Sequence, residues 1–301
     1  MKKQLPLTYF WPVHCYDKRV QQTALQEFAE AGADGICFNP PEMQAMMGNP
    51  GEILRWRKML AESGVRFRDA HNPYGPLEDM SCPVPELFPH MVSMHRHCLE
   101  LCAEFGIGST TIHVGRPTDY CKDRDTLHAN LLRALEQLLP TAEDCRCIIC
   151  IENIWDHCNT AGMLLDAIEK FKSPWLGICW DSGHAQLSRS DTPDVPEQCS
   201  RTSWTNNGYP DGPAEYSDTG DYLRRLLPHI VTCHLHTNDR IRDRHWLPTD
   251  PRGKTDWAAE MPVLLSAPRL LQIQNEASPG PDKVFTIRQT VESLKAIVAL
   301  G

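Results

Sequence analysis

The chain has 301 residues, 41% of them hydrophobic and 23% charged, with a net charge of −9 and a pI near 5.8. That length and apolar content suit one large α/β domain with a full core, and the acidic balance gives no overall basic surface for nucleic acid. The opening stretch, MKKQLPLTYFWPVH, is broken by Pro6 and Pro12, so it reads as neither a signal peptide nor a membrane span, and no other run is long enough to cross a bilayer.

A strand–helix rhythm repeats along the chain. PLTYFW (6–11) reads as a strand and VQQTALQEFAEAG (20–32) as a helix closed by Gly32. GICFNP (35–40) is the second strand and EILRWRKMLAESG (52–64) the second helix. VRFRDAHNP (65–73) runs from strand to loop, and ELFPHMVSMHRHCLELCAEFG (86–106) is a long helix. STTIHVG (109–115) precedes a helix at 125–139, RCIICIEN (146–153) one at 161–171, and WLGICWDSGHA (175–185) a long irregular segment. DYLRRLLPHIVTCHLH (221–236) supplies the next helix and strand; WAAEMPVLL, LLQIQNEA (270–277) and FTIRQTVESLKAIVAL (285–300) complete the cycle.

Strands this short and this hydrophobic, with no polar face, are buried on both sides as parallel strands are. Eight such units in about 300 residues predict a single-domain (β/α)8 TIM barrel over 1–301. Gln186 to Asp218 is too polar and too long for an ordinary connection, so it reads as a loop covering the mouth or reaching another subunit of a homo-oligomer, with Trp204 and Tyr209 within it.

The thirteen cysteines are odd in number and scattered, which suits small buried hydrophobes in a reducing cytoplasm better than a disulfide framework. Cys147 and Cys150 form a CxxC inside the strand-like CRCIICIE, where alternation points the two thiols to opposite faces and argues against a redox pair or a zinc site.

With the strands placed, His71 ends the third, His113 the fourth, Glu152 the fifth, Asp181 the sixth, His236 the seventh and Glu276 the eighth; His184 follows Asp181 by three residues. Around the seventh, His234, His236, His245, Asp239, Asp243, Arg240, Arg242 and Arg244 crowd into twelve residues. A lone strand-end histidine is usually a hydrogen-bonded structural residue, and a lone acid is often a helix N-cap. Six in register at the catalytic end of a barrel are different. A ring of Glu152, Asp181 and Glu276 is strongly unfavourable without a cation among them. The sequence therefore predicts a divalent metal site. Three carboxylates with one imidazole suit a hard to borderline ion, Mn²⁺ foremost, with Mg²⁺, Co²⁺ and Zn²⁺ as alternatives.

The motifs HNPYGPLEDMS (71–81), TTIHVG (110–115), IEN (151–153), WDSGHA (180–185), HLHTND (234–239), the D-x-H of Asp243 and His245, and TDW (255–257) belong together. In them the chain resembles the sugar phosphate isomerase/epimerase family of xylose isomerase-like TIM barrels, relatives of the endonuclease IV-type AP endonucleases. The resemblance implies Glu152, Asp181, His236 and Glu276 as metal ligands, with Glu152 and Glu276 doubling as a catalytic acid–base pair. It also implies that His184 and Arg242 hold substrate oxygens. His71, His113, His184, Asp243 and His245 complete the nine ligands of the trinuclear site of the nuclease relatives, so additional metal ions are part of the expectation. Two stretches depart from the family pattern: Glu276 sits in IQNEAS, and PTDPRGK replaces a Gly-rich segment.

The activity implied is that of a metal-dependent isomerase or epimerase of a ketose or related keto-sugar, working by proton transfer through an enediolate. The alternatives are a dehydratase or lyase of a keto-sugar or inositol derivative, and a phosphodiester hydrolase at abasic DNA.

Overall fold

The computed structural model describes residues 5–155, 159–188, 219–240, 242–280 and 283–301. The segment expected to form a long loop therefore lies outside the described residues beyond Ser188, Trp204 and Tyr209 included.

Eight parallel strands form one sheet: β1 (Leu7–Tyr9), β2 (Ile36–Phe38), β3 (Phe67–His71), β4 (Ser109–Ile112), β5 (Ile148–Glu152), β6 (Leu176–Asp181), β7 (Ile230–Leu235) and β8 (Ile273–Asn275). The ladder runs β1-β8-β7-β6-β5-β4-β3-β2, and β1 lies against β2 at the seam, closing the (β/α)8 barrel. Between and after the strands come α1 (Lys18–Glu30), α2 (Pro40–Gly48), α3 (Gly51–Ser63), α4 (Phe88–Glu104), α5 (Arg124–Cys145), α6 (Ala161–Phe171), α7 (Ser182–Leu187), α8 (Thr219–Leu226), α9 (Trp257–Leu264) and α10 (Ile287–Val298).

Local chemistry fixes the helix ends. Asp17, Asp123, Thr160 and Asp256 cap α1, α5, α6 and α9 with side-chain oxygens that accept backbone N–H bonds. Thr286 and Gln289 form a reciprocal capping box on α10. Two expectations from the sequence need correcting. The second strand stops at Phe38, because Asn39 precedes α2 and prolines at its first two positions forgo only N–H groups that have no partner in a helix. The helix predicted to end at Leu139 continues through Pro140 to Cys145, its buried leucines and alanines holding it to the sheet.

The main core lies between sheet and helices, with Phe38 stacked on Phe67 at 4.6 Å and both against Phe105. The barrel interior is separate and polar in its lower half. Asp69 accepts from the Thr232 hydroxyl at 2.7 Å and its neighbour's backbone N–H, with Ser109 at 3.5 Å and Gln272 bonded to Ser109. Cys150, Cys179 and Val231 pack inside the barrel, whereas Cys147 faces the outer core, so the two thiols of the CxxC do lie on opposite sides of the sheet. A hydrogen bond with Cys102 and then burial push the Cys147 thiol well above the ordinary range, and burial does the same for Cys150.

One irregularity positions the site. The β6–β7 register shifts by one residue between Ile178 and Cys179, with the extra residue on β7. Val231 and Thr232, adjacent in the chain, consequently both face the barrel interior. The bulge brings the inward-facing His234 opposite Asp181.

Candidate metal centre and pocket

Every strand-end residue singled out in the sequence stands at the same end of the barrel. His71, Glu152 and Asp181 close β3, β5 and β6; His113, His236 and Glu276 stand one residue beyond β4, β7 and β8. All are buried except His113, which is partly so. Two adjoining groups hold most of the candidate ligand atoms, and His71, His113 and Glu152 make a further one that shares Glu152 with the first.

In the first, Glu152, Asp181, Glu276 and His234 bring their ligand atoms within 4.8 Å of one another. Glu152 Oε1 lies 3.1 Å from His234 Nδ1 and 3.4 Å from His184 Nδ1, while its Oε2 lies 3.1 Å from His113 Nε2 and 3.7 Å from His71 Nε2. Glu276 Oε1 stands 3.3 Å from the same His234 Nδ1. The second group is His184, His236, Asp243 and His245. His236 stacks on His245 at 4.0 Å, and Asp243 contacts His245 at 2.8 Å and His184 at 3.6 Å. Asp181 joins the groups, 3.2 Å from His236 Nε2.

The sequence WDSGH is shaped to hold this junction. Asp181 caps α7 by accepting the His184 backbone N–H, the Ser182 hydroxyl clips the end of β7 at the His236 carbonyl (2.8 Å), and Gly183 leaves room for the His236 ring. A Cβ at position 183 would lie 2.0 Å from His236 Cε1. His245 adopts a φ of 46°, the kind of backbone strain that collects at functional sites.

Burial works against every charge here, and the outcome differs by residue. Glu152 is nevertheless held well below the usual carboxylate range, because His234, His113 and His184 outweigh its desolvation. Asp243 is likewise held low by His245 and His184, whereas burial leaves Asp181 raised. Desolvation lowers the imidazoles, but facing carboxylates prevail: His184 and His234 are pushed well up and His245 to about 9. The acids and the imidazoles thus push one another toward their charged forms. Glu152 Oε2, Asp181 Oδ2, Asp243 Oδ1, Glu276 Oε2, His184 Nδ1 and both His236 nitrogens are buried and make no hydrogen bond among the described residues. Groups of that kind are costly unless a ligand takes them up. The donor set fits a divalent cation: carboxylate oxygens and imidazole nitrogens in a buried, preformed cluster.

Above the cluster opens a pocket of about 320 Å³. His71, His113, His184, Asp243, His245 and Glu276 line its floor; Glu152 lies behind them. Phe10, Tyr74 and Trp155 give it aromatic walls, and Asp79, Arg116 and Ser278 its remaining polar side chains. These wall residues sit mostly in loops, where no periodicity marks them. Arg242, expected to hold substrate, is exposed and outside the pocket lining, its backbone N–H bonded to Asp239. His234 was missed as a site residue. Its signal was the two-residue spacing from His236, which puts both on one face of a strand.

The profile of the xylose isomerase-like TIM barrel family matches residues 25–267. An uncharacterized protein, y4fM, of Sinorhizobium fredii is 24% identical over 276 residues, covering 83% of this chain and 79% of that protein. Among solved structures, 3-keto-D-glucoside 4-epimerase YcjR of E. coli superposes with a TM-score of 0.71 at 14% identity, over 98% of this chain and all of that one. D-psicose 3-epimerase of Clostridium cellulolyticum, solved with D-tagatose, gives 0.71 at 11% identity, over 98% and 99%. The TTHB071 protein of Thermus thermophilus, from a crystal soaked with ZnCl2, gives 0.69 at 18% identity, over 99% of both chains. By fold, by strand-end residues and by profile, this chain belongs to the xylose isomerase-like TIM barrel family.

Proposed function

We propose that this protein is a divalent-metal-dependent isomerase or epimerase that moves a proton beside the carbonyl of a ketose or related keto-sugar. The observation that carries this reading is the convergence of Glu152 and Glu276. They come from β5 and the end of β8, yet their carboxylates meet the same nitrogen at 3.1 and 3.3 Å; among the described residues the second oxygen of each makes no hydrogen bond, that of Glu152 having His113 Nε2 at 3.1 Å. Glu152, Asp181, His236 and Glu276 are the residues that would hold the ion, with Mn²⁺ the first candidate. When bound, a divalent cation polarises a sugar carbonyl and its neighbouring hydroxyl and so acidifies the C–H between them.

The protein's own groups supply the rest. Glu276 lines the pocket and Glu152 stands behind its histidine floor; in this reading the two serve opposite faces of one carbon. One takes a proton as base; the other, carrying a proton, delivers it to the opposite face of an enediolate. Phe10, Tyr74 and Trp155 offer flat apolar faces to the C–H side of a sugar, and the pocket volume is at the small end of ligand sites, about 300–1,000 Å³. The fold neighbours that are epimerases of 3-keto-D-glucoside and D-psicose support the same substrate class. A dehydratase or lyase of a keto-sugar would share the first proton removal.

A second reading has its own support. His184, His236, Asp243 and His245 could hold an ion of their own, and His71, His113 and Glu152 another, as a phosphodiester hydrolase at abasic DNA would require. The small pocket and the net charge of −9 favour the sugar. Incubating Mn²⁺-loaded protein in D2O with D-psicose, D-tagatose, D-fructose and 3-keto-D-glucose, followed by NMR, tests the proposal. Deuterium at the carbon beside the carbonyl is the expected result. Cleavage of an abasic-site oligonucleotide with no exchange into any of the sugars would replace the epimerase reading with the nuclease one.

A further inference from the structure

His234 has no part in the reaction proposed above, yet it occupies the centre of the carboxylate cluster and is fully buried. Its neighbour on the same strand face, His236, behaves differently. Among the described residues neither His236 nitrogen makes a hydrogen bond, although its Nε2 lies 3.2 Å from Asp181 Oδ1, an oxygen that would share an ion with it. The His234 ring is engaged on both sides. Its Nδ1 lies 3.1 Å from Glu152 Oε1 and 3.3 Å from Glu276 Oε1, and its Nε2 lies 3.3 Å from the Thr111 hydroxyl. A nitrogen facing two carboxylate oxygens carries its hydrogen whether the ring is neutral or charged. Two anionic carboxylates at such range repel each other unless something polar and positive stands between them.

We propose that His234 is a positioning residue whose Nδ1–H braces Glu152 and Glu276 against one another, leaving the second oxygen of each for the cation. This rests on the metal-dependent reading above, with His236 rather than His234 as the imidazole ligand. The β6–β7 bulge, which sets His234 opposite Asp181, is the backbone feature that makes the brace reachable. Thr111, across the barrel on β4, fixes the ring from behind.

The brace is tested by Mn²⁺ titration of chelator-stripped protein, with free aqueous Mn²⁺ followed by electron paramagnetic resonance. In His234→Asn the side-chain amide stands where Nδ1 stood; in His234→Gln it falls nearer the Nε2 position; His234→Leu has no donor. The Leu and Gln variants should bind Mn²⁺ ten- to a hundredfold more weakly, as loss of a residue that orients ligands does, and Asn should recover most of the loss. Metal-free melting temperatures of the Asn and Gln variants should agree, so that packing does not explain the order. His236→Leu should abolish binding. Equal weakening by Asn and Gln would reduce His234 to a packing residue. Loss of binding in His234→Leu with retention in His236→Leu would make it a ligand instead. Wild-type affinity in all three His234 variants would sink the brace alone, whereas a wild-type protein that takes up no Mn²⁺ would sink the metal-dependent function and the brace together.

Discussion

Asp69 and Glu152 are both fully buried inside the barrel, yet their surroundings are opposite in kind. Asp69 is satisfied by neutral donors, the Thr232 hydroxyl, the Ala70 N–H and Ser109, and burial leaves its pKa raised. Glu152 is ringed by His71, His113, His184 and His234 and held well below the usual range. The histidines divide the same way. His95 has its Nδ1 2.9 Å from the Asn72 amide and its Nε2 2.7 Å from the Glu78 carbonyl, and burial pushes it down to about 4, whereas His245 beside Asp243 is pushed up to about 9. In these two pairs the group that serves the fold is met by neutral partners, while the group at the mouth faces opposite charges.

The sharpest way to break this contrast is at the mouth. Glu152→Gln or Asp181→Asn should lose stoichiometric metal by elemental analysis and cost roughly a hundredfold or more in activity, since acid–base catalysis alone supplies about 10²–10⁴. In chelator Asp181→Asn should melt no lower than wild type, because burial disfavours its charge, whereas Glu152→Gln should melt lower, because the facing histidines favour the charge it removes. A lower metal-free melting temperature for Asp181→Asn would mean that this acid stabilises the fold, contrary to the contrast drawn here.

How much of this was legible in the sequence follows the same division. The barrel was readable because each β-branched run ends in a polar residue at a regular interval, so that His71, Glu152 and Asp181 fall on the last residues of β3, β5 and β6. Glu276 is in place despite its unusual IQNEAS context, because position at the strand end decides its direction. The β7 bulge was not legible, since it depends on pairing with β6 and not on any local signal. The setting of Arg242 was not legible because a loop carries no periodicity: Asn238 and Asp239 bond the backbone N–H groups of Arg240 and Arg242, and Arg242 is exposed. Arg116, Tyr74 and Trp155 escaped notice for the same reason.

A second test concerns His95, the neutral counterpart of the charged site histidines. Its folded pKa of about 4 lies below the ordinary 6.5, so the stability it contributes is fully present above 6.5 and is lost as pH falls through 4. Urea titrations across that window should show wild type losing on the order of 3 kcal/mol from this group. His95→Gln should flatten that part of the profile while weakening the loop that carries Tyr74 and Asp79. An unaltered acid limb would show that His95 is not held neutral.

The smallest effect should come from the floor. Asp69→Ala leaves the Thr232 and Ser109 hydroxyls without their acceptor and should cost about 1–3 kcal/mol in urea unfolding. Mn²⁺ affinity should stay within a factor of two or so of wild type, because no ligand atom is touched. A tenfold loss of affinity would show that floor and mouth form one network and that the division between them is wrong.

The claim on which everything else depends is that the mouth is built around a divalent cation. Isothermal titration of chelator-stripped protein with Mn²⁺, run beside Glu152→Gln, addresses it most directly. The structure predicts saturable, stoichiometric binding to wild type, with release of protons from the histidines that stand in for the cation, and loss of that binding in the variant. Heat no greater than dilution for wild type, or identical isotherms for the two proteins, would contradict it.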